Sequence, residues 1–179
     1  MNAGRQSLAL LLLLTTIAGA DEPMLGPAIE GYGPTFPIDD RDVPLVDGAN
    51  YKAVFDVASY SDDPDAQSAR LVSVARFMNM HARNGTPVSH MDLAVVLHGK
   101  AVKNAMTHAA YRKRYGLENP NLELISRLHE AGVRFFMCGQ SIAFSGVDKS
   151  ELAEPVQVAL SAMTMLTVLQ QEGYALLPD

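Results

Sequence analysis

The chain has 179 residues, a formal net charge of -6 and one cysteine. This length is typical of one globular domain, and the acidic balance argues against a nucleic-acid-binding surface, which needs clustered Lys and Arg. A single cysteine excludes an intramolecular disulfide, a four-thiolate zinc site and a CxxC redox pair.

The first twenty residues have the pattern of a secretory signal peptide. Arg5 precedes an apolar run from residue 8 to 18, and residues 18–20 (Ala-Gly-Ala) have the small-x-small pattern of a cleavage site. The run is shorter than the ~20 residues that span a bilayer, so we favour cleavage over an uncleaved anchor. We therefore expect a signal peptide over residues 1–20, export, a periplasmic location where the cell has a periplasm, and no stable membrane span.

Residues 21–50 are rich in proline and glycine, which cannot sustain a helix or a central strand. This composition predicts an extended arm, and a Pro-rich linker remains the alternative. Tyr32, Phe36 and Ile38 are the side chains expected to attach the arm to the domain or to a neighbouring subunit. The folded domain is then expected over residues 51–179.

From residue 51 onward, β-favouring apolar runs alternate with segments of helical periodicity. In chain order, the first predicted elements are a strand (51–57), a helix (64–83), a strand (91–97) and a weaker helix (101–115). They are followed by a helix (121–131), a strand (133–138), a turn-prone stretch (139–147), a long helix (148–172) and a strand (174–177). Asp148 and Glu151 form the capping box that predicts the start of the long helix.

This alternation predicts the α/β class. We expect a single domain with a parallel sheet of four to five strands and helices on both faces, joined by right-handed crossovers. In open sheets of this kind, ligands bind beyond the carboxyl ends of the strands.

Two residues able to do chemistry lie at those ends. His98 follows the second predicted strand and Cys138 ends the third, and each is followed by a glycine that permits close approach of backbone or ligand. We predict Cys138 and His98 as catalytic residues. The residues predicted to bind a ligand are Gly99, Lys100, Gly139, Gln140 and Ser141.

A thiol attacks only as the thiolate, which needs a positive or donor-rich setting. His98, Lys100 and Lys103 would supply that setting if the second and third strands are neighbours. The alternative is a buried Cys138 that packs as a small hydrophobic side chain. An unpaired thiol in an exported protein is exposed to oxidation, which indicates either use or deep burial.

Other site classes have no support in the pattern. No pair of histidines has zinc spacing such as HExxH, and neither GxxxxGK[ST] nor a GxGxxG after a strand is present. The Gly139-Gln140-Ser141 segment lacks the GxSxG pattern of a serine hydrolase. We therefore predict no metal site and no cofactor.

Several segments resemble the DsrE/DsrF-like family. These are residues 133–141 (Val-Arg-Phe-Phe-Met-Cys-Gly-Gln-Ser), 148–152 (Asp-Lys-Ser-Glu-Leu), 169–174 (Leu-Gln-Gln-Glu-Gly-Tyr) and 95–99 (Val-Val-Leu-His-Gly). The resemblance covers roughly residues 51–178. It implies a small α/β domain with a parallel sheet that assembles as a homo-oligomer, usually a trimer or hexamer.

Some cytoplasmic relatives in this family hold sulfur as a persulfide on a cysteine in this region and pass it between partner proteins. On this chain the resemblance assigns that role to Cys138 and implies a sulfur donor or acceptor protein. The predicted export signal departs from the cytoplasmic members, so their partners and pathways are not transferred.

Three hypotheses about function follow. The first is a sulfurtransferase-like sulfur carrier that uses Cys138. The second is a non-catalytic oligomeric module that binds a ligand or protein and in which Cys138 is structural. The third, ranked below them, is a redox sensor whose thiol pairs between chains.

Overall fold

Five strands form one sheet in the computed structural model, which describes residues 22–179. They are β1 (Tyr51–Val57), β2 (Met91–Leu97), β3 (Arg134–Cys138), β4 (Val156–Ala159) and β5 (Ala175–Leu177). They lie in the order β4-β3-β2-β1-β5, and every neighbouring pair is parallel. The predicted α/β class with a parallel sheet is confirmed, with five strands.

In the described part of the chain, five α-helices connect or flank the strands. They are α1 (Ala69–Arg83), α2 (His108–Tyr115), α3 (Leu122–Glu130), α4 (Gly139–Ser145) and α5 (Ala162–Gln171). The same residues also contain three short 3₁₀ helices, which cover Val88–His90, Gly99–Ala105 and Lys149–Glu151. Within residues 22–179, no helix has the length and apolar character needed to cross a membrane.

The strands alternate between two apolar layers because successive side chains point to opposite faces of a sheet. Phe55, Leu97 and Phe135 belong to the larger layer, which α1 and α3 cover. Val96 and Cys138 belong to the smaller layer, which packs against α5. Helices on both faces are thus observed, and the sheet is apolar on both sides, as expected for buried parallel strands.

Two helices begin later than their sequence pattern predicts. The helix predicted over 64–83 starts at Ala69, because the Ser68 side chain accepts the backbone N–H of Leu71 and forms the N-cap. The weaker helix predicted over 101–115 divides into the 3₁₀ segment 99–105 and α2, whose N-cap is Thr107. Caps therefore set these boundaries more closely than apolar periodicity does.

The prediction of one long helix over residues 148–172 is wrong. The segment contains a 3₁₀ helix, strand β4 and helix α5. The Asp148–Glu151 capping box does form, but on the 3₁₀ helix. Pro155 interrupts helical hydrogen bonding, and the Val-Gln-Val-Ala segment that follows has the alternation of a strand that pairs with β3.

The prediction of a turn-prone stretch over residues 139–147 is also wrong in its first part. Residues 139–145 form α4, which begins immediately after Cys138 and ends at Gly146 in the left-handed conformation. The Gly and Ser residues that indicate a turn are here the first turn and the C-cap of a short helix. This difference matters because the helix directs its first backbone N–H groups towards the end of β3.

Part of the segment predicted as an arm packs against α1. The side-chain oxygen of the fully buried Asn79 accepts the backbone N–H of Ile29 at 2.8 Å, and its amide donates to the carbonyl of Gly33 at 3.1 Å. A Cβ on Gly33 would lie 2.3 Å from the backbone nitrogen of Arg76, so only glycine permits this approach. Arg83 donates to the carbonyl of Gly26 at 2.6 Å.

Candidate functional site

Cys138 is the last residue of β3, and its side chain is 5 % exposed. It also lies at the N-cap position of α4, so the first N–H groups of that helix lie close to its sulfur. Helix α5 begins at Ala162, shortly after β4, which pairs with β3 at this level. The thiol is therefore placed between the N-terminal ends of two helices.

This placement makes Cys138 more acidic than an ordinary thiol. Burial acts to raise the pKa of Cys138, since desolvation disfavours the charged thiolate. Hydrogen bonds from the Ser141 hydroxyl and from the backbone N–H groups of Ala162, Ser141 and Gln140 outweigh burial, and the pKa is lowered. The donor-rich setting predicted from sequence thus comes from backbone and hydroxyl groups, which stabilise the thiolate without a positive side chain.

Ser141 connects the thiol to the end of β2. Its side-chain oxygen accepts the backbone N–H of Gly99 at 2.9 Å. Because that oxygen is held as an acceptor, its own O–H is available to donate to the sulfur of Cys138. The strands β2 and β3 are neighbours, as the predicted site requires, and this hydrogen bond joins the segments that follow them.

His98 forms a hydrogen bond to β1, which lies on the side of β2 opposite to β3. Its Nε2 atom lies 2.8 Å from Oδ1 of Asp56, near the end of β1. Leu97 pairs with Met137, so His98 and Cys138 are at the same level of neighbouring strands. The interactions that lower the pKa of Cys138 nevertheless come from Ser141 and the backbone, and His98 is absent from them. Sequence reasoning missed Asp56 as the partner of His98.

The remaining predicted residues lie around this edge of the sheet in different settings. Gly139 makes close backbone contact, since a Cβ there would lie 2.7 Å from the carbonyl oxygen of Ala159. The exposed Gln140 donates from Nε2 to the carbonyl of Leu160 at 3.4 Å. Gly99 and Lys100 line a cleft, together with Ser141.

That cleft contains residues that sequence reasoning did not assign to a ligand site. It has a volume of about 510 Å³ and lies between the 3₁₀ helix 99–105, α2 and α4. Lys103 and Arg114 line it in addition to Lys100. Arg114 lies in the segment whose helical periodicity is weak, so the sequence did not indicate which side of the helix it is on. The packing of α2 against α4 is what places Arg114 in this cleft.

Three large apolar side chains are exposed on the elements that surround Cys138. Phe144 of α4 is 91 % exposed, Leu160 after β4 is 73 % exposed and Met163 of α5 is 78 % exposed. We refer to these three residues as the apolar rim. Where such side chains form one contiguous patch on a folded domain, the patch commonly marks an interaction site.

Metal-ligating side chains do not cluster in the part of the chain that the structure describes. Across residues 22–179, no three His, Cys, Asp or Glu side chains are close enough together to ligate one ion. The acid–base groups at this edge include the Asp56–His98 pair and the thiol of Cys138.

The fold and the site together define a class: a parallel α/β domain with one thiol at the carboxyl end of a central strand. The model of the DsrE/DsrF-like family matches residues 52–178. This chain therefore belongs to the DsrE/DsrF-like family, and the resemblance stated from its sequence segments is confirmed.

Two solved structures are similar to this fold. One is a protein of unknown function, MTH1491 from Methanobacterium thermoautotrophicum, with a TM-score of 0.54, 22 % identity and coverage of 73 % of this chain and 100 % of that chain. The other is the YchN protein from E. coli, with a TM-score of 0.53, 15 % identity and coverage of 72 % and 99 %. At these identities the likeness establishes the fold alone. No curated protein matches the chain.

Proposed function

We propose that the protein is a thiol-based sulfur carrier in which Cys138 holds a persulfide. The Cys138 thiolate attacks the terminal sulfur of a sulfane-sulfur donor of the persulfide class, R–S–SH. A new S–S bond forms, the donor S–S bond breaks, and its electron pair leaves on the thiolate R–S⁻. An acceptor thiolate then attacks the outer sulfur and releases the Cys138 thiolate, so neither step requires an outside oxidant or reductant.

The position of Cys138 at the N-cap of α4, where nearby donors lower the pKa of its thiol, is the observation that supports this proposal. Attack requires the thiolate, and the N–H groups of Gln140, Ser141 and Ala162 with the Ser141 hydroxyl favour that form despite burial. Membership of the DsrE/DsrF-like family, which is often linked to sulfur relay, is consistent with this chemistry.

Intact-mass measurement tests the proposal directly. We expect the wild-type protein to gain ~32 Da after incubation with a sulfane-sulfur donor, since persulfidation adds one sulfur. Cys138→Ser should show no gain, and Ser145→Ala, which changes another serine of α4, should behave as wild type. No gain on the wild type, or an equal gain on Cys138→Ser, would refute the carrier function.

The burial of Cys138 favours a second candidate function. A side chain that is 5 % exposed fits a structural cysteine in a binding module without catalysis. The rate of alkylation in the native state separates the two functions. A thiol that reacts only on unfolding supports the binding module, whereas native-state reaction faster than that of a free thiol near neutral pH supports the carrier.

We propose in addition that a second copy of the chain covers Leu160 and Met163 of the apolar rim, as the family resemblance implies for a trimer or hexamer. The exposure of these two side chains supports this arrangement. Sedimentation equilibrium should show an oligomer that Met163→Glu dissociates. Gln171→Glu, at an exposed polar position on a different face of α5, is the matched control. A wild-type monomer at micromolar concentration would contradict the proposal.

Export is a further part of the proposal. The signal-peptide pattern over residues 1–20, which lies outside the described residues, supports it. N-terminal sequencing of the protein from its native cell should begin at position 21. Retention of the full N-terminus in a cytoplasmic fraction would contradict export.

A further inference from the structure

The cleft that Lys100 and Ser141 line has the dimensions of a small-molecule site. Its volume of about 510 Å³ is within the range of ligand pockets, which is roughly 300–1,000 Å³. The Ser145 side chain adds a hydroxyl to its lining, whereas the N–H of Gly99 and the hydroxyl oxygen of Ser141 are bonded to each other. The charge and polarity of the other lining residues then determine which ligand chemistry fits.

The cleft has an excess of positive charge. Lys100, Lys103 and Arg114 line it, and within residues 22–179 the one ion pair that these three side chains form joins Arg114 to Glu151 at 3.2 Å. The local balance is therefore positive, although the whole chain has a net charge of -6. A concave positive surface on an acidic protein concentrates anions from solution.

The ammonium group of Lys103 is held in place by aromatic rings. Its Nζ atom lies 4.4 Å from the centroid of the Tyr60 ring and 5.5 Å from that of Tyr115. These contacts restrict the side chain while leaving its charge unpaired by a carboxylate. Lys103 is thus oriented before any ligand binds, which reduces the entropy that binding must overcome.

Several other residues that line the cleft are apolar. Val102, Met106 and Val147 are buried, and Phe144 is 91 % exposed. An inorganic anion would leave the Phe144 ring in water. A ligand with an apolar group next to its anionic group would cover Phe144 and reach the cations at the same time.

We propose that this cleft binds a small organic anion, in which a phosphate, sulfonate or carboxylate contacts Lys100, Lys103 and Arg114 while an apolar group packs against Phe144. Binding of this kind does not depend on sulfur transfer at Cys138. The cations of Lys103 and Arg114 add two positions to the ligand-binding residues predicted from sequence.

Titration calorimetry with phenyl phosphate tests the proposed site on the full chain. We expect saturable binding that weakens as salt is raised, because exposed charges are screened. Lys100→Gln should weaken it by about fivefold, the effect of one partly exposed ion pair. Lys113→Gln is the matched control, since it removes the same charge from α2 outside the cleft lining.

Two further ligands separate the anionic and apolar parts of the proposal. Inorganic phosphate and benzyl alcohol should each bind more weakly than phenyl phosphate, and Phe144→Ala should weaken only the ligands that have a ring. Absence of saturable binding, or equal affinities for Lys100→Gln and Lys113→Gln, would overturn the site. Equal affinity for inorganic and phenyl phosphate would overturn the assignment of an amphipathic ligand.

Discussion

Replacing Ser141 with alanine removes one hydrogen-bond donor to the Cys138 sulfur and leaves the backbone donors in place. The hydroxyl of Ser141 donates to the thiolate while its oxygen accepts the backbone N–H of Gly99 at 2.9 Å. We therefore expect Ser141→Ala to raise the pKa of Cys138 and to reduce the fraction of thiolate at neutral pH.

The size of the effect follows from the strength of a hydrogen bond to a charged group, about 1.5–3 kcal/mol. Ser141 is half-buried, so water will replace part of the lost interaction and the lower end of this range applies. Since about 1.4 kcal/mol corresponds to a factor of ten, the thiolate fraction below the titration midpoint should fall about tenfold. Ser141→Thr keeps a hydroxyl, so its thiolate fraction should fall much less.

The assay is the rate of alkylation by iodoacetamide in the native state as a function of pH. Ser141→Ala should react about tenfold more slowly at low pH and approach the wild-type rate at high pH, where both thiols are ionised. Ser145→Ala removes a hydroxyl one turn later on α4 and should follow the wild-type curve. The alkylation rate of each variant at high pH, compared with the wild-type rate there, shows whether access to Cys138 has changed.

His98→Gln makes the test specific. His98 is bonded to Asp56 at 2.8 Å and is absent from the interactions that lower the pKa of Cys138, so its removal should shift the alkylation profile less than Ser141→Ala does. A larger shift for His98→Gln would support the sequence-based prediction that His98 favours the thiolate. An unchanged profile for Ser141→Ala would refute the role of the Ser141 hydroxyl in the acidity of the thiol.

Three further predictions concern stability. Gly139→Ala should lower the free energy of unfolding, measured in urea, by about 1–3 kcal/mol, since its Cβ would lie 2.7 Å from the carbonyl oxygen of Ala159. Asn79→Ala should lower the free energy of unfolding by roughly 1–3 kcal/mol and make proteolysis of the arm faster, because the buried N–H of Ile29 loses its acceptor. The pKa of Glu151 is lowered, chiefly by the backbone N–H of Asp148, so its ionised form stabilises the fold; Glu151→Gln should therefore be less stable than wild type at neutral pH.

Each of these predictions has a result that contradicts it. Gly139→Ala with wild-type stability would mean that β4 and α4 separate easily. Unchanged proteolysis of Asn79→Ala would mean that other contacts hold the arm. For Glu151, a folded pKa below the ordinary value of 4.5 means that the stability difference is full above this pH and disappears as pH falls through the folded pKa. A difference that persists in strong acid would contradict its electrostatic origin.

Local sequence patterns were reliable where each buried element had its own periodicity. The strands over 51–57 and 91–97 match the observed bounds, and the third strand begins one residue later than predicted. These strands are apolar on both faces because helices cover the sheet on both sides, which makes them conspicuous in the sequence. The same pattern failed for β4, a four-residue edge strand whose register depends on pairing with β3.

The candidate site likewise combines features that local sequence predicts with features that depend on tertiary contacts. The strand end that bears Cys138, the neighbouring Ser141 and the family segments around them could all be predicted from the residues alone. Tertiary packing was needed to show that Ser141 bonds Gly99, that His98 pairs with Asp56 and that the N–H of Ala162 reaches the thiol.

The physical reason is the separation of these groups along the chain. Gly99 and Ser141 are 42 residues apart, as are His98 and Asp56. No local periodicity relates groups at such distances, and their contacts depend on strand order, register and the angle at which α4 and α5 begin. Sequence alone thus identified one cysteine at the end of a strand, and the packing of the sheet determined the donors that make its thiol acidic.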